Sequence, residues 1–544
     1  MSGVSKAGGI SASVLLQDLR ESDREFALLD VREEGRFGQA HILTASSLPL
    51  SRLELEIARL VPLRDTDIVI YDDDDGLAAR AGARLSALGY SNVTILEGGL
   101  AAWIAAGHFV YDGLNTPSKA LGVFAQRELA IPEIGLNVLA QLCEHGETPL
   151  IVDCRPFSEY QNGTIPGSIN CPGAALAAYR AMDVESRGIS NAEETLVVHC
   201  AGRTRGLAGV QTLIDNGYQG RIFALRDGTM GWQLSGRVVE KNAGRSLLDA
   251  RRAAASAGDL ARAEVIRTAA GIDLVDAGEL KQMLNDRTRT LYLFDIREKR
   301  EYDTGHIYGA RNIAGGQLVQ NLDMHVATRG ARIVVSDRDG IAASSIALWL
   351  RRMGWRDIFV ARIDDGGHEI VTDTSGTAEF DMVPNTVRYI SANKLKELAD
   401  AGSVTIVDLA SSRDYRKGHI TGAWFVVRSR LPAVLPRLPR SGSLVLTSPD
   451  GHLAAWAAGD EPDFPGELYV LKGGTGSWQA AGYELSADLE RMIDCPDDIV
   501  QKPSELPEGP ARDEAMRTYL GGSEELLAKV EREGILKFAA LPVA

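Results

Sequence analysis

Cysteine is scarce in this sequence, with five residues in 544. So low a count excludes a fold held together by disulfides. It is typical of a reducing compartment, where a single thiol is either structural or catalytic. Basic charge is lacking too, since the formal net charge is −16 at pH 7. Nucleic-acid binders present a basic face, so this balance argues against a nucleic-acid partner.

Long apolar runs are also missing. No stretch approaches the roughly 18–20 apolar residues that a transmembrane helix needs, and the first residues lack the apolar core of a secretory signal. We therefore expect a cytoplasmic protein without a membrane partner. The length predicts several domains, because a single hydrophobic core stops growing at about 250–300 residues.

The sequence contains four copies of one pattern. In the first three copies an arginine lies two residues after an aspartate, whereas the fourth copy has Ala410 in place of the arginine. Further along each copy, a second apolar strand runs into a polar loop, a helical stretch and a Gly-rich turn. Each copy begins with a short apolar strand that ends in this aspartate, at Asp30, Asp153, Asp295 and Asp408.

Short β-branched strands that alternate with helices indicate parallel sheets covered by helices. We therefore predict an α/β fold of four tandem domains, each a small parallel sheet flanked by helices, plus a C-terminal helical tail. Short joins between neighbours predict two pairs of domains with a linker as the seam, and the amphipathic segment 524–533 predicts a helix packed on its own chain. The predicted ranges are 8–113, 118–240, 271–376 and 386–486 for the domains, 246–270 for a helical linker and 487–544 for the tail.

One loop has the composition of a reactive site. In the second copy, an apolar strand delivers Cys200-Ala-Gly-Arg-Thr-Arg205 and then a helix. A cysteine between a strand and a helix N-terminus faces unpaired backbone N–H groups and the positive end of the helix dipole, to which Arg203 and Arg205 add charge. These conditions stabilise a thiolate, so the sequence predicts Cys200 as a nucleophile.

Four elements of the sequence belong together: the Asp-x-Arg strand end, the Gly-Thr-Ile or Gly-His-Ile element, the cysteine loop and the Gly-Gly turn with tryptophan. In this combination the sequence resembles the rhodanese family of sulfurtransferases, over residues 8–486. The resemblance implies that Cys200 takes a sulfane sulfur from a donor such as thiosulfate or a low-molecular-weight persulfide. The cysteine persulfide then passes the sulfur to a thiol or cyanide. No cofactor and no metal are implied.

The resemblance also implies roles for other residues of the second copy. Asp153 and Arg155 match the motif that braces the loop, and Arg155 is a candidate to bind an anionic donor as well. Arg205 matches an arginine that orients the donor and braces the loop. The substrate-binding loop is implied to be Ala201, Gly202, Arg203, Thr204 and Arg205.

Loop length separates this chemistry from a related one. The related cell-cycle dual-specificity phosphatases have five residues between the cysteine and the arginine, which makes the loop wide enough for phosphate. Here four residues separate Cys200 from Arg205. Sulfur transfer is therefore favoured over phosphate hydrolysis.

The other three copies have no cysteine in this loop. None of the residues there can form a persulfide, and we expect a carboxylate at this position to accept hydrogen bonds from its own loop amides, so the copies are predicted to be inactive. A metal site at 72–75 and a nucleophilic role for the serine of copy four are the less favoured alternatives. The residues that replace Cys200 are Asp72, Asp337 and Ser448.

Several further residues are assigned to structure. Histidines recur before isoleucine in three copies, but the second copy has Thr164 there, so we predict loop braces. Cys154 and Cys171 are predicted to be buried inert thiols, with resolution of a persulfide by Cys154 as the alternative. The recurring histidines are His41, His306 and His419.

Two functions therefore remain open. The first is a sulfurtransferase whose partners are a small sulfur donor and a thiol acceptor, which includes acceptor proteins. The second is a non-catalytic scaffold or sulfur sensor made of degenerate repeats. Monomer and homodimer are both compatible with the sequence.

Overall fold

The computed structural model describes residues 8–21, 24–181, 195–247, 255–373, 387–439, 442–460, 465–541 and 543. Parts of the predicted ranges lie outside the described residues: 22–23 in domain 1, 182–194 in domain 2, 248–254 in the linker, 374–376 in domain 3, 386, 440–441 and 461–464 in domain 4, and 542 and 544 in the tail. Within the described part of the chain, none of the helices is long and apolar enough to span a bilayer.

Domains 1 and 2 are built from a similar succession of elements, except that domain 2 has a 3-10 helix (Ala175–Ala181) where domain 1 has α3, and the helix α6 (Thr116–Leu129) joins the two domains. Domain 1 contains β1 (Gly8–Ile10), α1 (Ala12–Glu21), β2 (Phe26–Asp30), α2 (Glu34–Gln39), β3 (Ser46–Ser47), α3 (Leu53–Leu60), β4 (Asp67–Tyr71), α4 (Leu77–Ala87), β5 (Val93–Leu96) and α5 (Gly99–Ala105). Domain 2 contains β6 (Glu133–Ile134), α7 (Leu136–Glu144), β7 (Leu150–Asp153), α8 (Phe157–Asn162), β8 (Ile169–Asn170), β9 (Leu196–His199), α9 (Thr204–Asp215), β10 (Ile222–Leu225) and α10 (Gly228–Leu234).

The second half repeats the succession after the helix α11 (Ala257–Ala270). Domain 3 contains β11 (Asp273–Leu274), α12 (Ala277–Asn285), β12 (Leu291–Asp295), α13 (Lys299–Tyr302), β13 (His306–Ile307), β14 (Arg311–Asn312), α14 (Gly315–Gln320), β15 (Thr328–Arg329), β16 (Arg332–Asp337), α15 (Ile341–Arg352), β17 (Ile358–Arg362) and β18 (Ile370–Val371). Domain 4 contains β19 (Tyr389–Ile390), α16 (Ala392–Asp400), β20 (Val404–Asp408), α17 (Ser412–Lys417), β21 (His419–Ile420), β22 (Trp424–Phe425), α18 (Leu431–Val434), β23 (Ser443–Thr447), α19 (His452–Asp460), β24 (Leu468–Leu471), α20 (Gly474–Ala480) and β25 (Leu485–Ser486), and the tail contains α21 (Pro510–Leu520) and α22 (Ser523–Glu533).

The four main sheets share one strand order. In domain 2 the order is β6-β10-β9-β7-β8, and every neighbouring pair is parallel. The central strands are apolar and buried because helices cover both faces. This confirms the predicted α/β fold of four parallel sheets flanked by helices. Domain 3 alone has only a short 3-10 helix after its last main-sheet strand, where the other domains have α5, α10 and α20.

Domains 2 and 3 share one hydrophobic core. It runs from Val198 and Leu213 of domain 2 to Ile346 and Trp349 on α15 of domain 3. The helix α11 lies against α15 and buries Ile266 in the same core. The predicted seam at the linker is therefore wrong: apolar packing makes domains 2 and 3 one continuous unit.

Domain 1 contacts both domains of the second half. β15 of domain 3 pairs antiparallel with β2 of domain 1, so a strand from another domain covers this edge of the sheet. Arg428 of domain 4 makes an ion pair with Glu54 of domain 1 at 2.6 Å, and both side chains are buried. The prediction of two neighbouring pairs is therefore replaced by an arrangement in which domain 1 bridges domains 3 and 4.

The tail folds back onto the first half of the chain. α22 packs against α6, and its Leu527 and Val530 are buried in the core of domain 1. The carboxylate of Glu533 accepts a hydrogen bond from the Tyr111 hydroxyl at 2.7 Å. The predicted packing of this helix on its own chain is confirmed.

Candidate active site

Cys200 lies at the carboxyl edge of the domain 2 sheet, between the end of β9 and the start of α9. Its side chain belongs to the shared core and only 3% of the residue is exposed. The first amides of α10 hold the loop backbone: Thr229 N–H donates to the Cys200 carbonyl at 3.0 Å, and Met230 N–H donates to the Ala201 carbonyl at 2.9 Å. The loop is thus fixed by backbone groups of a neighbouring helix.

Gly228 allows this close approach. Its φ is +47°, and a Cβ built on it would lie 2.1 Å from the Cys200 carbonyl oxygen. Gly474 stands at the same place in domain 4, with a φ of +59° and a built Cβ 2.0 Å from the Ser448 carbonyl oxygen. In domains 2 and 4, a glycine in the Gly-rich turn therefore lets a helix N-terminus come close enough to hydrogen-bond the loop.

In the other three domains, a side chain fills the loop. Asp72 accepts hydrogen bonds from the amides of Asp74 at 2.9 Å and Ala78 at 2.8 Å. Asp337 accepts from Gly340 at 2.6 Å and from Ala342 at 3.0 Å. The prediction that a carboxylate occupies its own loop is confirmed for Asp72 and Asp337. The structure adds Ser448, whose hydroxyl accepts from Gly451 at 3.1 Å and Ala454 at 3.3 Å.

Domain 2 differs at this point. Within the described part of the chain, no side chain accepts a hydrogen bond from the amides of residues 201–206. The N–H groups at the start of α9 therefore have no side-chain acceptor within the described part of the chain. Such N–H groups, at the positive end of a helix dipole, favour a negatively charged group.

Asp153 and Arg155 form the brace beside the loop. The Arg155 guanidinium donates to the Asp153 carboxylate at 2.9 and 2.6 Å and to the Gly163 carbonyl at 2.6 Å. The Thr164 hydroxyl donates to the same carboxylate at 2.8 Å. Burial alone would raise the pKa of Asp153, but His199, Arg155 and Thr164 outweigh it and lower that pKa to about 2. Arg155 is buried in this network, so the structure places it in the brace and not at a donor-binding surface.

Arg205 extends from the loop toward domain 3. Its guanidinium makes two hydrogen bonds of 2.9 Å to the Glu159 carboxylate and one of 3.2 Å to the side chain of Gln317 on α14. Burial alone would lower the pKa of Arg205, but Glu159 and the nearby thiols of Cys200 and Cys154 raise it. Arg205 is therefore a permanent cation near Cys200 whose charge is shared with a carboxylate.

The remaining loop residues contact the surrounding helices. Arg203 pairs with Glu133 at 3.1 Å, so its charge is already engaged at the side of the loop. Thr204 begins α9 and lies against Gly122 of α6. Ala201 contributes its backbone carbonyl to α10, and Gly202 faces the tail.

The tail reaches the loop through α21. A Cβ built on Gly202 would lie 3.0 Å from the ring of Tyr519 and 3.4 Å from the side chain of Leu520. Lys119 of α6 lies 4.7 Å from the centre of the Tyr519 ring. Sequence reasoning missed these residues, because nothing in the tail marks it as part of a loop more than three hundred residues earlier in the chain.

The recurring histidines are braces, as predicted. Each ring lies on an aromatic ring four residues earlier and its Nδ1 is hydrogen-bonded to the carbonyl of that residue. The pairs are His41 with Phe37, His306 with Tyr302 and His419 with Tyr415, at Nδ1–O distances of 3.0, 2.9 and 2.8 Å.

Comparison with known proteins gives the family. A family model described as "Rhodanese-like domain" matches residues 11–106, 136–235, 276–369 and 391–481. The chain belongs to the rhodanese-like domain family. All four domains are members, which agrees with the repeated sheet order and the repeated loop.

Three of the similar proteins are named for sulfur transfer. The crystal structure of a thiosulfate sulfurtransferase from Pseudomonas aeruginosa is similar over 98% of this chain and 100% of that chain, with a TM-score of 0.89 and 36% identity. The putative thiosulfate sulfurtransferase SseB of Mycobacterium tuberculosis is 31% identical over 136 residues, which is 23% of this chain and 47% of that protein. Thiosulfate sulfurtransferase of Gallus gallus is 30% identical over 130 residues, 21% of this chain and 43% of that protein. The match thus spans less than half the length of these two curated relatives.

Proposed function

We propose that this chain is a rhodanese-type sulfurtransferase with a single reactive centre, Cys200 in domain 2. The observation that carries the proposal is the loop itself. Three of the four loops are filled by their own side chains, while the fourth has a cysteine and amides that no described side chain occupies. The names of the relatives support sulfur as the group transferred.

The proposed reaction has two steps. The Cys200 thiolate attacks the outer sulfur of thiosulfate, the sulfur–sulfur bond of the donor breaks, and sulfite leaves with the electron pair. The thiolate of an acceptor, or cyanide, then attacks the outer sulfur of the Cys200 persulfide and releases the Cys200 thiolate. No cofactor and no metal takes part.

Groups around Cys200 are placed to bind a negatively charged donor. The amides of residues 201–206 face the anionic part of the donor at the start of α9. Arg205 contributes a second positive group, although Glu159 shares its charge. Arg155 acts through Asp153 as a positioning residue, because its guanidinium is taken up by the carboxylate and the Gly163 carbonyl.

The test is turnover together with the mass of the protein. The purified chain, mixed with thiosulfate and cyanide, is expected to form thiocyanate, and Cys200→Ser is expected to form none. Mixed with thiosulfate alone, the chain is expected to gain one sulfur atom on a peptide that contains Cys200. Absence of turnover with thiosulfate and with low-molecular-weight persulfides would contradict the proposal and favour the scaffold hypothesis. The filled loops of the other three domains are the observation that supports that alternative.

A further inference from the structure

Three cysteines of domain 2 lie in one row at the carboxyl edge of its sheet. Cys154, Cys171 and Cys200 directly follow β7, β8 and β9. The sheet pairs Asp153 with His199 in register, so Cys154 and Cys200 are the next residues along. The ladder continues at this point, since Cys154 N–H donates to the His199 carbonyl at 2.9 Å and Cys171 N–H donates to the Asp153 carbonyl at 2.9 Å.

The side chains of Cys154 and Cys200 project from the same face of the sheet, the face that α9 covers. Residues in register on neighbouring parallel strands point the same way, and both cysteines belong to one core cluster. A Cβ built on Gly209 of α9 would lie 3.7 Å from the Cys154 Cβ and 3.1 Å from a methyl carbon of Val198, two residues before Cys200. Neighbouring strands are about 4.8 Å apart, and disulfides need Cα atoms roughly 4.4–6.8 Å apart.

The pairing is confined to the domain that has a cysteine in its loop. The equivalent residue in each of the other domains also donates its N–H to the neighbouring strand, and in each it is an aliphatic side chain in the core. An aliphatic side chain is therefore enough to fill the core at this position. Domain 2 is the domain in which this position, Cys154, and the neighbouring loop position, Cys200, are both cysteine. The aliphatic residues are Val31, Ile296 and Leu409.

We propose that Cys154 resolves the Cys200 persulfide when no acceptor arrives, which releases hydrosulfide and leaves a Cys154–Cys200 disulfide. This inference rests on the proposed function. The Cys154 sulfur bonds to Sγ of Cys200, and the bond from Sγ to the outer sulfur breaks. The outer sulfur keeps the electron pair and takes the proton of the Cys154 thiol, so that it leaves as HS⁻. Cys154 is oxidised and the sulfane sulfur is reduced, so the step needs no external oxidant.

The environment of Cys154 makes this step slow. Burial, together with the neighbouring Cys200, raises the pKa of the Cys154 thiol well above its ordinary range. Because only the thiolate attacks efficiently, transfer to an acceptor is faster than resolution. A dithiol reductant then returns the disulfide to two thiols, and the centre is ready again.

The experiment follows the persulfide without an acceptor. In a background with the exposed Cys143 and Cys495 replaced by serine, the protein is loaded with thiosulfate, freed of excess donor and followed by intact mass, peptide mapping and sulfide assay. The parent protein is expected to lose the extra sulfur, release one sulfide per persulfide and gain a Cys154–Cys200 link. With Cys154→Ala, the persulfide is expected to last about tenfold longer or more, without sulfide and without the link, because the attacking thiol is absent.

Cys171→Ala is the matched control. Cys171 is as buried as Cys154 and follows the next strand, but it neighbours Cys154 and not Cys200, so this variant is expected to behave as the parent does. Equal persulfide lifetimes in Cys154→Ala and the parent, or a link from Cys200 to Cys171, would overturn the inference.

A second measurement separates this inference from the proposed function. If the parent gains no sulfur from any donor, the proposed function fails. The pair is then tested with the thiol oxidant diamide on the reduced protein. A Cys154–Cys200 disulfide that is absent from Cys154→Ala supports the pairing of the two cysteines, and no disulfide between them overturns it.

Discussion

Domains 2 and 4 place the same loop at the same edge of the same sheet, and they differ in what occupies it. In domain 4 the Ser448 hydroxyl accepts hydrogen bonds from Gly451 and Ala454, so the loop is closed by its own side chain. In domain 2 the equivalent amides have no such partner among the described side chains. One side chain thus decides whether the loop is filled by its own residue, as in domain 4, or left with the cysteine on which the proposed function depends, as in domain 2.

The two domains also differ in the brace beside the loop. Burial would raise the pKa of Asp153, but His199, Arg155 and Thr164 together lower it to about 2. Asp408 has Ala410 in place of the arginine, and burial raises its pKa to about 7. Domain 2 therefore holds a charged carboxylate under its loop at neutral pH, whereas the carboxyl group of domain 4 is only partly ionised.

Alanine in place of Gly228 is expected to have the largest effect on turnover, and the same change at Gly474 of domain 4 is expected to leave turnover intact. Gly228→Ala places a methyl group against the Cys200 carbonyl, where only 2.1 Å is available. The loop must move, and we expect kcat/KM for thiosulfate to fall about 100-fold or more, the usual effect of a shift of about 1 Å in a reacting group.

Gly474→Ala is the control for this change. It creates the same conflict in domain 4, at 2.0 Å from the Ser448 carbonyl. Each substitution is expected to cost about 1–3 kcal/mol in the free energy of unfolding, because both glycines have a positive φ. Turnover is expected to be lost only in Gly228→Ala, and a comparable loss in Gly474→Ala would break the assignment of chemistry to domain 2.

An arginine at position 410 is expected to give Asp408 the ion pair that Asp153 makes with Arg155, although domain 4 has Thr447 where domain 2 has His199. The pKa of Asp408 is raised from an ordinary value of 3.8 to about 7. Its contribution to stability is therefore present below about pH 4 and lost as pH rises through about 7. Ala410→Arg supplies the missing partner, lowers the pKa of Asp408 and stabilises domain 4 by about 2 kcal/mol at pH 8, with little gain at pH 5.

Hydrogen-exchange protection of the β20 and β23 amides at the two pH values measures this gain within domain 4 alone. Ala410→Met, which adds length without charge, is the control and is expected to give no pH-dependent gain. Equal gains from arginine at pH 5 and pH 8 would contradict the ionic explanation.

Removal of the carboxylate that shares the charge of Arg205 is expected to have the smallest effect. Glu159→Gln leaves the guanidinium without an anionic partner at 2.9 Å. We expect the KM for thiosulfate to fall about fivefold, the equivalent of roughly 1 kcal/mol, with kcat little changed. Glu133→Gln, which removes the partner of Arg203 at the side of the loop, is the control; if both variants lower KM equally, net charge and not Arg205 is responsible.

The sequence was sufficient for everything that the repeat contains. The strand ends, the loop position of Cys200 and the filling of two other loops by Asp72 and Asp337 all depend on residues close together in the chain. What it could not predict are contacts between distant segments, because no local pattern encodes them. The core shared by domains 2 and 3, the pairing of Arg205 with Gln317 and the approach of Tyr519 to Gly202 belong to this second class.

The position of Tyr519 and Leu520 over Gly202 has a consequence for synthesis. A ribosome makes the Cys200 loop long before it makes α21, so the loop of a growing chain stands uncovered while two further domains are translated. The loop therefore gains its contact with α21 only after all four domains have been translated.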